Sequence, residues 1–156
     1  MIDIAVPGFG RLVLQHLVCD YNGTLARDGE LLDGVGARLT AIASKLAVHV
    51  LTGDTFGTAA RALRGLPCAV TVLPAEGQVE AKAAFVTRLG AADVVAIGNG
   101  RNDRLMLAAA ALGIVVIGDE GSAADTLQAS DIVVRDVVDA FALLDNPRRL
   151  IATLRA

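Results

Sequence analysis

Short β-branched runs that end in a polar residue or glycine alternate along this chain with longer Ala- and Leu-rich segments of helical period. That alternation admits few folds. Parallel strands joined by crossover helices are covered on both faces and so read as near-continuous apolar runs. The runs at 12–19, 47–51, 69–73, 94–97, 114–117 and 132–134 are read as strands, with helices filling most of the gaps. The expected fold is α/β, a three-layer sandwich around a mostly parallel, Rossmann-like sheet. With 156 residues, 54% of them hydrophobic and only 3% aromatic, the chain has the length of a single domain, 1–156, with an aliphatic interior that needs no metal or disulfide staple.

Local signals add detail. Asp28-Gly29 between apolar residues reads as the turn of a hairpin flap at about 24–34, and Pro7-Gly8 as the turn of another hairpin near the start. Asn146 followed by Pro147 reads as an N-cap and first helical residue.

Charge and composition exclude several roles. The net charge of −3, with Lys45 and Lys82 the only lysines, argues against a nucleic-acid partner, whose phosphates demand clustered cations. The opening MIDIAVPGFGR lacks the basic start and sustained apolar region of a signal peptide. The longest apolar stretch, residues 105–118, falls short of the roughly 20 residues a spanning helix needs and is divided by Gly113. Cys19 and Cys68 lie in apolar surroundings and are read as reduced thiols. A soluble, cytoplasmic protein is expected. His16 and His49 fall within strand-like runs and are read as packed or edge residues.

In open α/β sheets function gathers at the carboxyl ends of the strands, so the polar residues after each apolar run carry the information. They are Asp20 in CDYNGTLA, Thr52, Gly53 and Asp54 in LTGD, and Asn99, Asn102 and Asp103 in GNGRND, while Lys82 lies on the helical segment EGQVEAKAAFVTRLG. Singly, each has an ordinary structural explanation: Asp20 and Asn22-Gly23 as turn residues, Thr52 and Asp54 or Asn102 and Asp103 as helix starts, Lys82 as a solvated helix-face residue. Together they supply a nucleophile, a phosphate-oxygen donor, a charge stabiliser and a magnesium ligand, the parts needed for phosphoryl transfer.

These four motifs, in this order, resemble those of the haloacid dehalogenase-like (HAD) superfamily of aspartyl-phosphate-forming hydrolases. LTGD and the G-x-G-x-N-D block look most like soluble relatives of the P-type ATPase phosphorylation domain. The resemblance implies that Asp20 attacks phosphorus, Thr52 hydrogen-bonds a transferring oxygen and Lys82 neutralises charge. It implies magnesium held by Asp20, the backbone carbonyl of Asn22, Asn99 and Asp103, the last directly or through water. Phosphate would be cradled by Tyr21, Asn22, Gly23, Thr52, Gly53 and Lys82. A cap domain, frequent in the superfamily, has no room here. The substrate is then a bulky phosphorylated small molecule or macromolecule, or a second subunit of a dimer or tetramer covers the site, with the hairpin flap as the candidate cover and a plain solvated turn as its ordinary reading.

Two positions depart from the superfamily pattern. Asn22 stands where an aspartate usually protonates the leaving group and activates water, which implies slow turnover. Asn99 stands where another aspartate is usual, which implies weaker magnesium binding, on the order of millimolar. Both changes leave open a second reading, a regulatory or interaction module with a nearly inactive phosphoryl site. A response-regulator receiver and a dinucleotide-binding domain fit less well, the former in the order of its acids and the latter in its glycine spacing. Asp119 and Glu120 are read as helix N-terminal acids, with an approach to the site as the alternative.

Overall fold

The computed structural model describes residues 1–54 and 56–156. The chain opens with an antiparallel hairpin, β1 (Ile2–Val6) and β2 (Gly10–Leu14), turned at Pro7-Gly8 as expected. The run at 12–19 is therefore two strands. Gln15 separates β2 from β3 (His16–Asp20) because its N–H bonds to Asp93 O at 2.8 Å and its carbonyl accepts from Ala47 N–H at 2.9 Å, which seats β3 in another sheet. Next comes the flap, β4 (Ala26–Arg27) and β5 (Glu30–Leu31), whose turn residues Asp28 and Gly29 take φ of 53° and 82°. Positive φ at both central positions matches the turn to the twist of the paired strands, and Asp-Gly tolerates it.

After α1 (Val35–Ile42) the chain alternates regularly: β6 (Ala47–Thr52), α2 (Thr58–Ala62), β7 (Ala69–Val72), α3 (Gln78–Leu89), β8 (Val94–Gly98), α4 (Arg104–Ala109), β9 (Leu112–Val116), α5 (Ala124–Gln128), β10 (Ile132–Val134), α6 (Val137–Asp145) and α7 (Pro147–Leu154). Pro147 opens α7, but Asn146 makes no side-chain capping bond, so the helix start rests on the proline.

The six central strands run parallel in the order β10-β9-β8-β3-β6-β7. Alternate residues of each strand enter opposite cores. Leu17 and Cys19 pack with Val50, Ile97 and Phe141 on the face covered by α1 and α6, and Val18 packs with Leu51, Val86 and Met106 under α3 and α4. This is the three-layer sandwich the apolar runs imply. Between β3 and β6, and between β6 and α3, the described residues hold only the flap and single helices or strands, so no cap domain is inserted there. Among the described residues no helix is long and apolar enough to cross a membrane.

The chain steps outward from β3 to β6 and β7, then returns to place β8 on the other side of β3. That reversal is the topological switch point where such sheets bind ligands. Pairing of Cys19 with Ile97 and of Asp20 with Leu51 brings the carboxyl ends of the three strands side by side.

Toward the other end of the same strands the two histidines meet. His16 Nδ1 lies 3.3 Å from His49 Nε2, and His49 packs edge-on against Phe85. Burial first, and the nearby His16 second, hold His49 below its ordinary value of 6.5. Its charged form is thus disfavoured in the folded state, so stability is greatest above 6.5 and is lost as the pH falls through the depressed folded value. Urea unfolding at pH 7.5 and pH 5 is expected to show this loss, and His49→Gln to reduce it.

Candidate active site

Asp20 ends β3 and is only 7% exposed. The chain then folds back at once: Gly23 N–H donates to Ala26 O at 2.8 Å, and the amides of Leu25 and Ala26 donate to Tyr21 O at 2.9 and 3.0 Å. Asn22 sits exposed on this loop beside Asp20. Tyr21 is buried, its amide donating to Leu51 O at 3.2 Å and its hydroxyl to Gly29 O at 2.9 Å, which fastens the flap. The amides of Tyr21 and Gly23, expected at a phosphate, are therefore bonded within the chain.

Lys82 occupies the second turn of α3 and is buried, although taken singly such a lysine reads as solvated. Its ammonium donates to Asp20 Oδ1 and Asp103 Oδ1, each at 2.6 Å. Asp103 is fully buried, and its second oxygen accepts the amides of Asn99 and Gly100 at 2.9 Å each. Both oxygens of Asp103 are thus committed within the chain: they hold Lys82 and shape the loop after β8. A Cβ at Gly98 would come within 2.5 Å of the Asp103 carboxyl carbon, which is why that strand ends on glycine.

Burial, and then the Asp103 carboxylate, push Asp20 up to about 7 against the pull of Lys82. Burial alone would lower Lys82, but the two carboxylates hold it above its ordinary value. Beneath Asp20, burial pushes the Cys19 thiol far up, so it stays protonated and inert.

Thr52, buried at the end of β6, accepts the Asp54 amide at 3.1 Å and retains its own hydroxyl hydrogen. Asp54 accepts the amides of Phe56 and Ala59 at 2.9 Å each, bracing the first turn of α2 from outside the helix, whose N-cap is Gly57 rather than Thr52 or Asp54. Beyond β8, Asn102 donates to Gln78 Oε1 at 3.1 Å, joining that loop to the start of α3.

A cleft of about 570 Å³ opens over these groups, with Asp20, Asn22, Gly53 and Asn99 on its wall and Lys82, Thr52 and Asp103 buried behind. Two of its features, Thr24 and Phe56, escape sequence reasoning, and a third, Glu120, enters it only as the alternative reading. The buried Thr24 hydroxyl lies 3.4 Å from Asp20 Oδ2 and 3.2 Å from Asn99 Oδ1, joining the first and fourth motifs. Phe56, 86% exposed, stands at the rim. Glu120 lines the same cleft, and because α5 begins only at Ala124 it is not a helix N-terminal acid. Asp119 instead pairs with Arg27 of the flap. Of these only Glu120 carried a sequence signal, as an acid in the loop after a strand.

The donor set fits a hard cation. Asp20 Oδ2 and Asn99 Oδ1 are acceptor oxygens that share a single hydroxyl hydrogen, from Thr24, and so keep lone pairs for an oxygen-seeking ion such as magnesium.

Comparison with solved structures defines the class of fold. A protein from Legionella pneumophila described as a HAD-superfamily (subfamily III A) hydrolase superposes with a TM-score of 0.72 at 16% identity, over 90% of this chain and 87% of that one. The 3-deoxy-D-manno-octulosonate 8-phosphate phosphatase of Moraxella catarrhalis, solved with magnesium, phosphate and its sugar, gives 0.70 at 18% identity over 91% and 94%. The chain has the HAD-hydrolase fold. No protein-family model matches it. Over 62 residues, 40% of this chain and 67% of the relative, it is 58% identical to the uncharacterized protein MJ0073 of Methanocaldococcus jannaschii, and the chain belongs to the same family as that protein.

Removing Lys82 would leave two carboxylates buried together without their cation. Lys82→Met is expected to cost about 3–5 kcal/mol, the usual penalty for breaking a buried ion pair from one side. Adding Asp103→Asn should recover part of the loss, and urea unfolding of both single variants and the double variant measures the coupling.

Proposed function

We propose that this protein is a magnesium-dependent phosphohydrolase working through an aspartyl phosphate on Asp20. The observation that carries the reading is the buried bridge from Lys82 to Asp20 at the carboxyl end of the central strand, with Thr52 and Asn99 beside it. A buried lysine on a carboxylate of this kind is a device for holding a nucleophile anionic and in place. The likeness of the fold to phosphatases supports the same reaction class.

In the proposed reaction a carboxylate oxygen of Asp20 forms a bond to phosphorus as the bond from phosphorus to the leaving oxygen breaks. Lys82, with two of its three hydrogens already on carboxylates, offers the third to a phosphoryl oxygen, and Thr52 offers its hydroxyl hydrogen to another. Among the described residues the amides of Asn22 and Gly53 on this wall make no backbone hydrogen bond and would be free to donate to a phosphoryl oxygen. Asp20, the carbonyl of Asn22 and Asn99 would hold the magnesium, and Asp103 acts by fixing Lys82 and the Asn99 loop. The ion, when bound, supplies positive charge that favours the ionised Asp20 and offsets charge on the phosphoryl group.

Asn22 has no proton to give and no basic oxygen to take one. The leaving oxygen is therefore protonated by solvent, and water attacks the aspartyl phosphate without a base at this position. Alkyl esters should turn over slowly, and aryl or acyl phosphates, whose leaving groups need no proton, should suffer less. The open cleft suits a phosphorylated small molecule or an exposed phosphoryl group on a larger one. A cytoplasmic setting and a second subunit at the cleft mouth belong to the same proposal.

Acid quench of the protein with magnesium and a phosphorylated aryl substrate is expected to trap a phosphoenzyme in the wild type and none in Asp20→Asn. An unlabelled wild type would favour a binding module instead. Asn22→Asp is expected to raise steady-state hydrolysis of alkyl esters by about 10²- to 10⁴-fold. Unchanged turnover in that variant would contradict the role given to Asn22.

A further inference from the structure

We infer that Glu120 is a ligand of the divalent-cation site, directly or through one of the ion's waters, and that it returns the negative charge that Asn99 does not supply. The inference rests on the reading of the cleft as a metal-dependent phosphoryl site.

Glu120 sits on a turn after β9, closed by Gly121 N–H to Gly118 O at 3.4 Å. Three bonds tie the residues that follow it to Asn99. The Asn99 side-chain amide donates to Gly121 O at 3.1 Å, and the Asn99 carbonyl accepts the Ser122 hydroxyl at 3.0 Å and the Ala123 amide at 3.1 Å. The first of these requires an amide, because an ionised aspartate at position 99 has no hydrogen to donate. The same side chain that lacks a charge is thus the one that fastens the turn over the site.

The turn delivers its two acids to different places. Asp119 pairs with Arg27 on the flap, while Glu120 has no ion-pair or hydrogen-bond partner among the described residues. Its position is recorded at Gly23. A Cβ built on that glycine would lie 2.6 Å from Glu120 Oε2, 2.6 Å from Asn99 Nδ2 and 2.8 Å from Asn99 Oδ1. The Glu120 carboxylate and the Asn99 amide therefore converge on one notch, kept open by the missing side chain and lying in the cleft that Asp20 and Asn22 line.

Charge accounting favours a ligand role over a bystander one. Asp103 has both oxygens engaged, which leaves Asp20 as the sole carboxylate among the four ligands read from the sequence that is open to the cleft. Glu120 raises that number to two, and the charge of the donor set is a main control on affinity for a hard divalent ion.

The test uses Mn²⁺ as a paramagnetic probe, with free ion measured by electron paramagnetic resonance on the full chain without substrate, and a thermal melt to verify folding of each variant. Glu120→Gln is expected to weaken Mn²⁺ binding by about 10- to 100-fold, the range for losing a supporting group of a metal site. Asp119→Asn, on the same turn, should bind as the wild type does. Adding Asn99→Asp to Glu120→Gln should recover affinity by restoring the charge at position 99. Wild-type binding by Glu120→Gln, while Asp20→Asn binds weakly, overturns the inference and leaves the metal-site reading intact. Equal losses in Asp119→Asn and Glu120→Gln also overturn it, as a field effect of the turn. Wild-type binding by Asp20→Asn removes the metal-site reading and the role of Glu120 with it.

Discussion

An ammonium group buried between two carboxylates is the contact on which the rest of this architecture depends. Lys82 bridges Asp20 and Asp103 at 2.6 Å on each side, and the three residues come from three different elements: the end of β3, the middle of α3 and the loop after β8. Isolated charges do not persist in such surroundings, because losing hydration costs more than the packing around them returns. Each charge is tolerable only while the other two are in register. The ionic bridge therefore constrains the sheet as well as the site, since β8 must lie close to β3 and α3 must cross at the height of Asp20.

The loops around this bridge are organised by hydrogen bonds, one of which an acid-for-amide exchange at position 99 would break. Asn99 accepts from Thr24 through its oxygen and donates to Gly121 through its nitrogen, linking the loop after β3 to the turn after β9. The flap is anchored in a comparable way, by the Tyr21 hydroxyl on Gly29 and by Arg27 on Asp119. The loops at the amide position 99 are thus cross-linked by neutral bonds, while the flap is held by one neutral bond and one ion pair. For the proposed reaction this arrangement would mean strong positioning of Asp20 and of phosphoryl oxygens, and little provision for moving protons at Asn22.

Much of this was legible before any coordinates. Strand runs of Val, Ile and Leu, broken by glycine and polar residues, determined a parallel α/β sandwich, because only burial on both faces explains runs apolar at every position. Asp28-Gly29 and Pro7-Gly8 determined turns, since backbone conformation there is a property of the residues themselves. The strand-end motifs and Lys82 singled out, by residue type and order, the polar groups that the fold brings together at one cleft. The division of the run at 12–19 was not legible, because an apolar residue does not encode which strand its backbone will bond.

What the sequence decided alone, then, is the set of local preferences and the identity of the polar groups at the strand ends. Tertiary structure decided their use. It buried Lys82, a residue that helical periodicity cannot distinguish from a solvated neighbour, and engaged both oxygens of Asp103 away from the cleft. It brought Thr24 against Asn99 across 75 positions of chain and turned Glu120 into the cleft while Asp119 was tied to the flap. The physical reason is the range of the forces. Backbone preferences act within a few residues, whereas ion pairing, desolvation and side-chain hydrogen bonding depend on distances that exist only after the sheet has formed.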